Sequence, residues 1–158
     1  MDDGMTVVAN WSTLVERFNT SALEFYQLVE TNVQKRQAPD IAFSRKNLNE
    51  SHIFSSSREY LLARRKKLTF AICSAPYGTG QFFSWWLFEE QSFFERLMRA
   101  IPFVSRIYES FTSHTTFYQA DSTAMFRLTL QEAVKESINE ITSAQGRRLA
   151  PNELTSAA

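Results

Sequence analysis

The sequence predicts an α+β domain: an N-terminal helix, a small antiparallel sheet of three to five strands, and two C-terminal helices packed on it. Two observations carry this. Apolar residues recur at three- and four-residue steps towards both ends of the chain, whereas between Asp40 and Phe88 they alternate or run together between turn residues. At 158 residues, with 44% hydrophobic and 22% charged content, the chain has the size and balance of one ordinary domain. That domain is expected over 1–150, with Pro151 to Ala158 as a flexible tail.

The elements follow in order. A first helix is expected from about Thr13 to Gln37. Thr13-x-x-Glu16 has the form of a capping box, and Val15, Phe18, Ala22, Phe25, Tyr26, Val29 and Val33 make one apolar stripe that suits a core. Trp11 is placed to pack back on its first turn, and Ala38-Pro39 ends it, because the residue before proline disfavours helical angles. Ile41 and Phe43 then alternate with polar neighbours, and Ser51 to Ser57 has the composition of a turn. Arg58 to Arg64 and Leu68 to Ser74 suit two strands joined by a tight basic connection. Ala75-Pro76-Tyr77-Gly78 suits a type I turn, and Gln81 to Phe88 a third strand. That strand is apolar on both faces apart from Ser84, a pattern expected of a central strand covered from both sides.

Glu89 to Phe111 returns to helical spacing, with Phe93, Phe94, Leu97, Met98, Ile101, Val104, Tyr108 and Phe111 in one stripe and Pro102 inside it to kink or split the helix. Thr115 to Gln119 suits a short strand. Asp121 is placed to cap a last helix that runs to about Gln145, with Phe126, Leu130, Ala133, Val134, Ser137, Ile138 and Ile141 inward and Gly146 as its C′ residue.

Charge and composition narrow the function. Seventeen basic residues balance seventeen acidic ones, which argues against a dedicated nucleic-acid binder. One cysteine excludes an internal disulfide and fits a reducing, cytoplasmic compartment. The start, MDDGMTVVANW, lacks the basic and apolar regions of a secretory signal, and no stretch is long and apolar enough to span a bilayer, so association with a membrane would be peripheral, at its inner face.

No residue constellation carries an enzyme mechanism. Cys73 lies in an apolar strand, where an inert buried thiol is the common outcome, and nothing local pairs it with His52 or His114. Gly78-Thr79-Gly80 is followed by Gln81 and an aromatic strand rather than by the lysine and helix of a phosphate loop. No His, Cys and carboxylate cluster has metal-ligand spacing, so no metal or cofactor is expected. What remains is a basic surface: Arg58, Arg64, Arg65, Lys66 and Lys67 at a hairpin, with Arg96, Arg99 and Arg106 on the aromatic helix after it.

Three patches give the chain a resemblance. Arg58-Glu59-Tyr60-Leu61, the run from Ala75 to Trp86 (APYGTGQFFSWW), and Phe117-Tyr118 with Asp121 and Met125-Phe126 resemble an uncharacterised group of bacterial proteins. The resemblance implies a bacterial cytoplasmic setting and brings no reaction with it. The role expected is a non-catalytic interaction or adaptor module. Its partner would be another protein or a copy of itself, or else an anionic membrane surface. The alternative is a small enzyme or ligand-binding domain with a pocket between helix and sheet near Cys73, Tyr77 and His114.

Overall fold

The computed structural model describes residues 5–48, 58–90, 116–149 and 154. They form five strands and two helices in the order β1 (Met5–Val15), α1 (Ala22–Lys35), β2 (Ala42–Leu48), β3 (Arg58–Arg65), β4 (Leu68–Tyr77), β5 (Gly80–Glu90) and α2 (Phe117–Ala144). The strands make one sheet, ordered β1-β5-β4-β3-β2, in which every neighbouring pair is antiparallel. The alternation leaves β1 and β2 parallel at opposite edges, so α1 crosses the sheet to join them. The class is α+β as expected, and the sheet reaches the upper end of its expected size.

The N-terminal element differs from the expectation. It is a strand through Val15, not a helix from Thr13, and α1 begins only after Ser21. The strand follows from the alternation of Ala9, Trp11, Thr13 and Val15, which face Leu87, Trp85, Phe83 and Gln81 across the β1–β5 ladder. The chain then turns through Arg17, at φ +51°, and Phe18 drops onto Phe83 with ring centroids 6.4 Å apart. The four-residue step from Trp11 to Val15 fits one face of a strand as well as a helix. Long-range pairing with β5 decided between them.

The middle of the chain follows the expected order. β3 and β4 are joined by a two-residue turn at Lys66-Lys67, with Lys66 at φ +54°. The turn after β4 falls at Gly78-Thr79, later than the expected Ala75–Gly78 turn: Pro76 is still in the strand and pairs with Gln81. Pro76 is tolerated there because it lies past the last β3–β4 pair, Leu61 with Ile72. Gly80 admits no side chain, since a Cβ would meet the Val15 carbonyl oxygen at 2.7 Å.

Beyond Leu61 and Ile72 the two strands separate, and a side chain takes over the ladder. The Tyr26 hydroxyl donates to the Glu59 carbonyl at 2.6 Å and accepts from the Ser74 N–H at 3.2 Å. These are the residues that the β3–β4 register would pair two steps beyond Leu61 and Ile72. Gln81 extends the polar link, donating from Nε2 to Ser74 Oγ at 2.8 Å.

α2 begins earlier than expected. Thr116 and Gln119 form a reciprocal capping box, so the expected strand at Thr115–Gln119 is instead the first turn of the helix, and Asp121 is not its cap. The expected inward residues, Phe126 to Ile141, are all buried, and Gly146 takes φ +78° at the end. The expected helix from Glu89 to Phe111 falls outside the described residues, except that Glu89 and Glu90 end β5.

Both helices lie on one face of the sheet. The core between them joins Trp11, Val15, Leu61, Phe70, Ile72, Phe83, Trp85 and Leu87 to Phe25, Val29, Phe126, Leu130, Val134 and Ile138. Phe70 stacks on Trp85 at 4.7 Å and takes Phe126 edge-on at 6.2 Å. The helices are tied to each other by buried Asn32, which donates to Ser137 Oγ at 3.0 Å and to Glu140 at 3.2 Å. α2, about 42 Å long at 1.5 Å per residue, leaves Phe117, Tyr118, Met125 and Leu128 exposed in its first turns.

Candidate interaction surface on the sheet face opposite the helices

Strand geometry sends alternate side chains to the face away from the helices. The ladders arrange them in rows. One row is Leu14, Phe82 and Ala75, with Arg58 next in register; a second is Ser12, Ser84 and Cys73, continued by Tyr60 and Lys46. A third is Asn10, Trp86, Ala71, Leu62 and Ser44, and a fourth is Val7, Phe88, Thr69, Arg64 and Ala42. No element among the described residues lies across these rows.

The rows sort by size and charge. β4, in the middle, contributes Thr69, Ala71, Cys73 and Ala75, a line of small side chains. On one side stand Phe82, Trp86 and Phe88 of β5, with Val7 and Leu14 of β1 beyond them; Trp86 and Phe88 are stacked, with centroids 6.5 Å apart and planes 18° from parallel. On the other side stand Arg58, Tyr60, Leu62 and Arg64 of β3, with Lys46 of β2 beyond. The result is a trough face with an aromatic wall and a basic wall, but its middle is enclosed: Thr69, Ala71, Cys73, Ser84 and Leu62 are 3%, 4%, 1%, 3% and 5% exposed, so the face is accessible only at its margins.

β5 is interior, as its composition predicts, but the helices cover only one of its faces. Trp85 points into the core and is 3% exposed, while Trp86, its neighbour, is 39% exposed on the other face. On that other face Trp86 is exposed, but Ser84 is 3% exposed and Phe82 and Phe88 are half-buried, so the expected cover from both sides is met in part.

At the far end of the trough the walls close on a cleft of about 340 Å³, lined by Leu14, Arg58, Ala75, Pro76, Tyr77 and Phe82. Tyr77, 67% exposed, forms its outer lip. A larger hollow of about 690 Å³ lies on the helix side, lined by Arg36, Glu132, Lys135, Glu136, Asn139, Glu140, Ser143 and Leu154. Its charges already satisfy one another, with Arg36 on Glu136 at 2.6 Å and Lys135 on Glu132 at 3.3 Å, so the smaller cleft is the better candidate.

The expected site residues are divided by this geometry. Lys66 and Lys67 form the β3–β4 turn, with Arg64 on the trough side of it. Arg65 points to the helix side and is half-buried. Arg58 sits at the opposite end of β3, roughly 23 Å from the turn at about 3.3 Å per residue, and belongs to the cleft. Arg96, Arg99 and Arg106 lie outside the described residues, as do His52 and His114. Trp86 was named from the sequence; Lys46, Val7 and Leu14 complete the surface and were not singled out. The signal for them was the alternation in β1 and β2, legible only once both were known to be edge strands.

Cys73 faces the trough rather than the space between helix and sheet, and is 1% exposed. Burial pushes its thiol above the ordinary range, against the opposing effects of Arg58 and a hydrogen bond with Tyr60. A protonated, enclosed thiol is a poor nucleophile. Among the described residues no cluster of histidine, cysteine and carboxylate side chains is arranged to hold a metal ion. Nor is any helix among them long and apolar enough to cross a membrane.

The class that the fold defines is α+β, an antiparallel five-stranded sheet with two helices on one face among the described residues. Compared with known protein-family models, curated proteins and solved structures, the chain matches none.

Proposed function

We propose that the chain is a non-catalytic interaction module of the cytoplasm and that it meets another protein through the sheet face opposite its helices. The observation that supports this reading is the exposure of Val7, Leu14, Tyr77 and Trp86 together on one ordered face, beside cations. Exposed apolar residues scattered singly need no explanation; several on one face of a rigid sheet, Val7 near Trp86 and Leu14 near Tyr77, are a more specific observation. Aromatic residues on rigid strands bind at small entropic cost, and tryptophan, tyrosine and arginine are the residues that most often dominate interfaces. Positioning for chemistry has no comparable support, since the thiol is enclosed and the described residues hold no acid–base pair in a cleft.

The test is site-specific photo-crosslinking in cells. A photoreactive residue in place of Leu14 or Val7 should give a discrete protein adduct, and the same residue in place of Asn139 on α2 should give none. The adduct should disappear when Trp86→Glu is added. Absence of any adduct from the sheet face, or an adduct indifferent to Trp86→Glu, would overturn the reading.

A further inference from the structure

The two edges of the sheet are built differently. β1, at one end, runs for eleven residues without a charged side chain, and Val7, Val8, Asn10, Ser12 and Leu14 are exposed along it. β2, at the other end, has seven residues and carries Arg45 and Lys46. Shortness and cations are common protections of an edge strand against pairing with another chain. β1 has neither. Its register shift between Val7 and Ala9 guards only the first part of the strand and leaves Ala9 to Val15 regular.

The direction of each backbone group on β1 follows from the hairpin beside it. The turn Gly78-Thr79 is closed by Tyr77 and Gly80, the pair that exchanges both hydrogen bonds in a two-residue hairpin. Pro76, which has no N–H to give, stands opposite Gln81 in the following pair, which exchanges none. Alternation along β5 then turns Gly80, Phe82, Ser84 and Trp86 towards β4, and Gln81, Phe83, Trp85 and Leu87 towards β1. Their partners Val15, Thr13, Trp11 and Ala9 bond inward, so Asn10, Ser12 and Leu14 direct their N–H and C=O groups away from the sheet. Among the described residues nothing bonds to those of Asn10 and Leu14.

We infer that the chain forms a two-fold dimer by antiparallel pairing of β1 with β1 of a second copy, with Ser12 at the axis and Asn10 opposite Leu14 of that copy. Asn10 and Leu14 then exchange the bonds that each leaves open, and the two sheets join into one. A two-fold pair requires only that the strand fit itself: near the axis each residue meets itself or a close neighbour, and a charge there faces its like. β1 meets that condition along its whole length. β2 does not, because Arg45 and Lys46 lie near the middle of the strand and would meet their copies. Pairing β1 with β2 of a next copy offers these cations no carboxylate on β1 and, being head-to-tail, continues into larger assemblies. The regular part of β1 is short, so the contact belongs to the weak, reversible class. It uses the edge of the sheet and is independent of the face proposed above.

The experiment is sedimentation velocity of the full chain at rising concentration, up to about 1 mM, which should show a reversible shift from monomer to dimer and no further. Ser12→Lys and Ser12→Glu, at an exposed site on the axis, should each stay monomeric, while an equimolar mixture of the two associates because unlike charges then meet. Asn10→Pro removes an N–H that β5 does not use, so it should melt close to wild type and lose the dimer. The two Ser12 variants carry the same test with no change to the backbone. Amide hydrogen exchange locates the contact. Asn10 and Leu14 should gain protection as concentration rises, while Trp11, bonded to β5, is protected throughout. The inference falls if the chain stays monomeric over the whole range, if masses exceed the dimer, if Ser12→Lys dimerises as wild type does, if the mixed variants fail to associate, or if the gain in protection falls on β2.

Discussion

Tyr26 shows how one side chain holds the fold at the point where its ladder opens. The ring belongs to the core, beside Phe25, and Arg45 lies 5.8 Å above it. The hydroxyl replaces the backbone pair that Glu59 and Ser74 would otherwise make. Burial pushes this phenol well above its ordinary range, so it stays protonated and keeps donating. Tyr26→Phe keeps the ring but leaves a buried N–H and a carbonyl short of a partner, and should cost about 1–3 kcal/mol in urea unfolding. The pH dependence follows from the same shift. With the folded-state pKa raised, stability is fully present below the unfolded phenol value of about 10 and falls as pH rises above it. Tyr26→Phe should lack that part of the alkaline loss; an identical alkaline profile in wild type and variant would refute the assignment. Tyr26 was legible as part of an apolar stripe, while its hydroxyl's task was not, because both partners are on strands more than thirty residues away.

At the scale of the element, β5 carries the contrast between core and surface in adjacent residues. Trp85→Ala removes a side chain stacked on Phe70 inside the core and should cost about 3–5 kcal/mol. Trp86→Ala removes a partly exposed ring and should cost about 1 kcal/mol or less. Denaturation midpoints of the two variants check the assignment of faces, and equal losses would refute it. The elements best read in advance were those whose signals are local: the β3–β4 hairpin and the inner face of α2, whose Phe126, Leu130, Val134 and Ile138 repeat at helical steps. The start of α2 was also written locally, in Thr116-Phe117-Tyr118-Gln119, but the β-rich composition of that stretch suggested a strand. The capping box won because it satisfies orphan N–H groups that a short isolated strand would leave bare.

For the whole molecule, the cations of the helix side are held in ion pairs: Lys35, Arg36, Arg45 and Lys135 with Glu140, Glu136, Glu30 and Glu132. The helix-side ion pairs are largely exposed, as with Lys35 and Glu140, whose side chains are 58% and 40% accessible. Pairs of this kind contribute little, so high salt should change unfolding free energy by less than about 1 kcal/mol. A change of several kcal/mol in urea titrations at low and high salt would show that the pairs hold the fold. By itself the sequence determined the class, the hairpin of β3 and β4, the interior place of β5, the inward face of α2 and the enclosure of Cys73, because each follows from periodicity or turn chemistry within a few neighbouring residues. Only the tertiary structure decided that Met5–Val15 is a strand, that both helices lie on the same face of the sheet, and that Arg58 and the Lys66-Lys67 turn stand at opposite ends of β3. Those outcomes depend on which distant strand supplies hydrogen-bond partners and on which face two helices cover. Local spacing is compatible with either answer, and pairing across the sheet selects one.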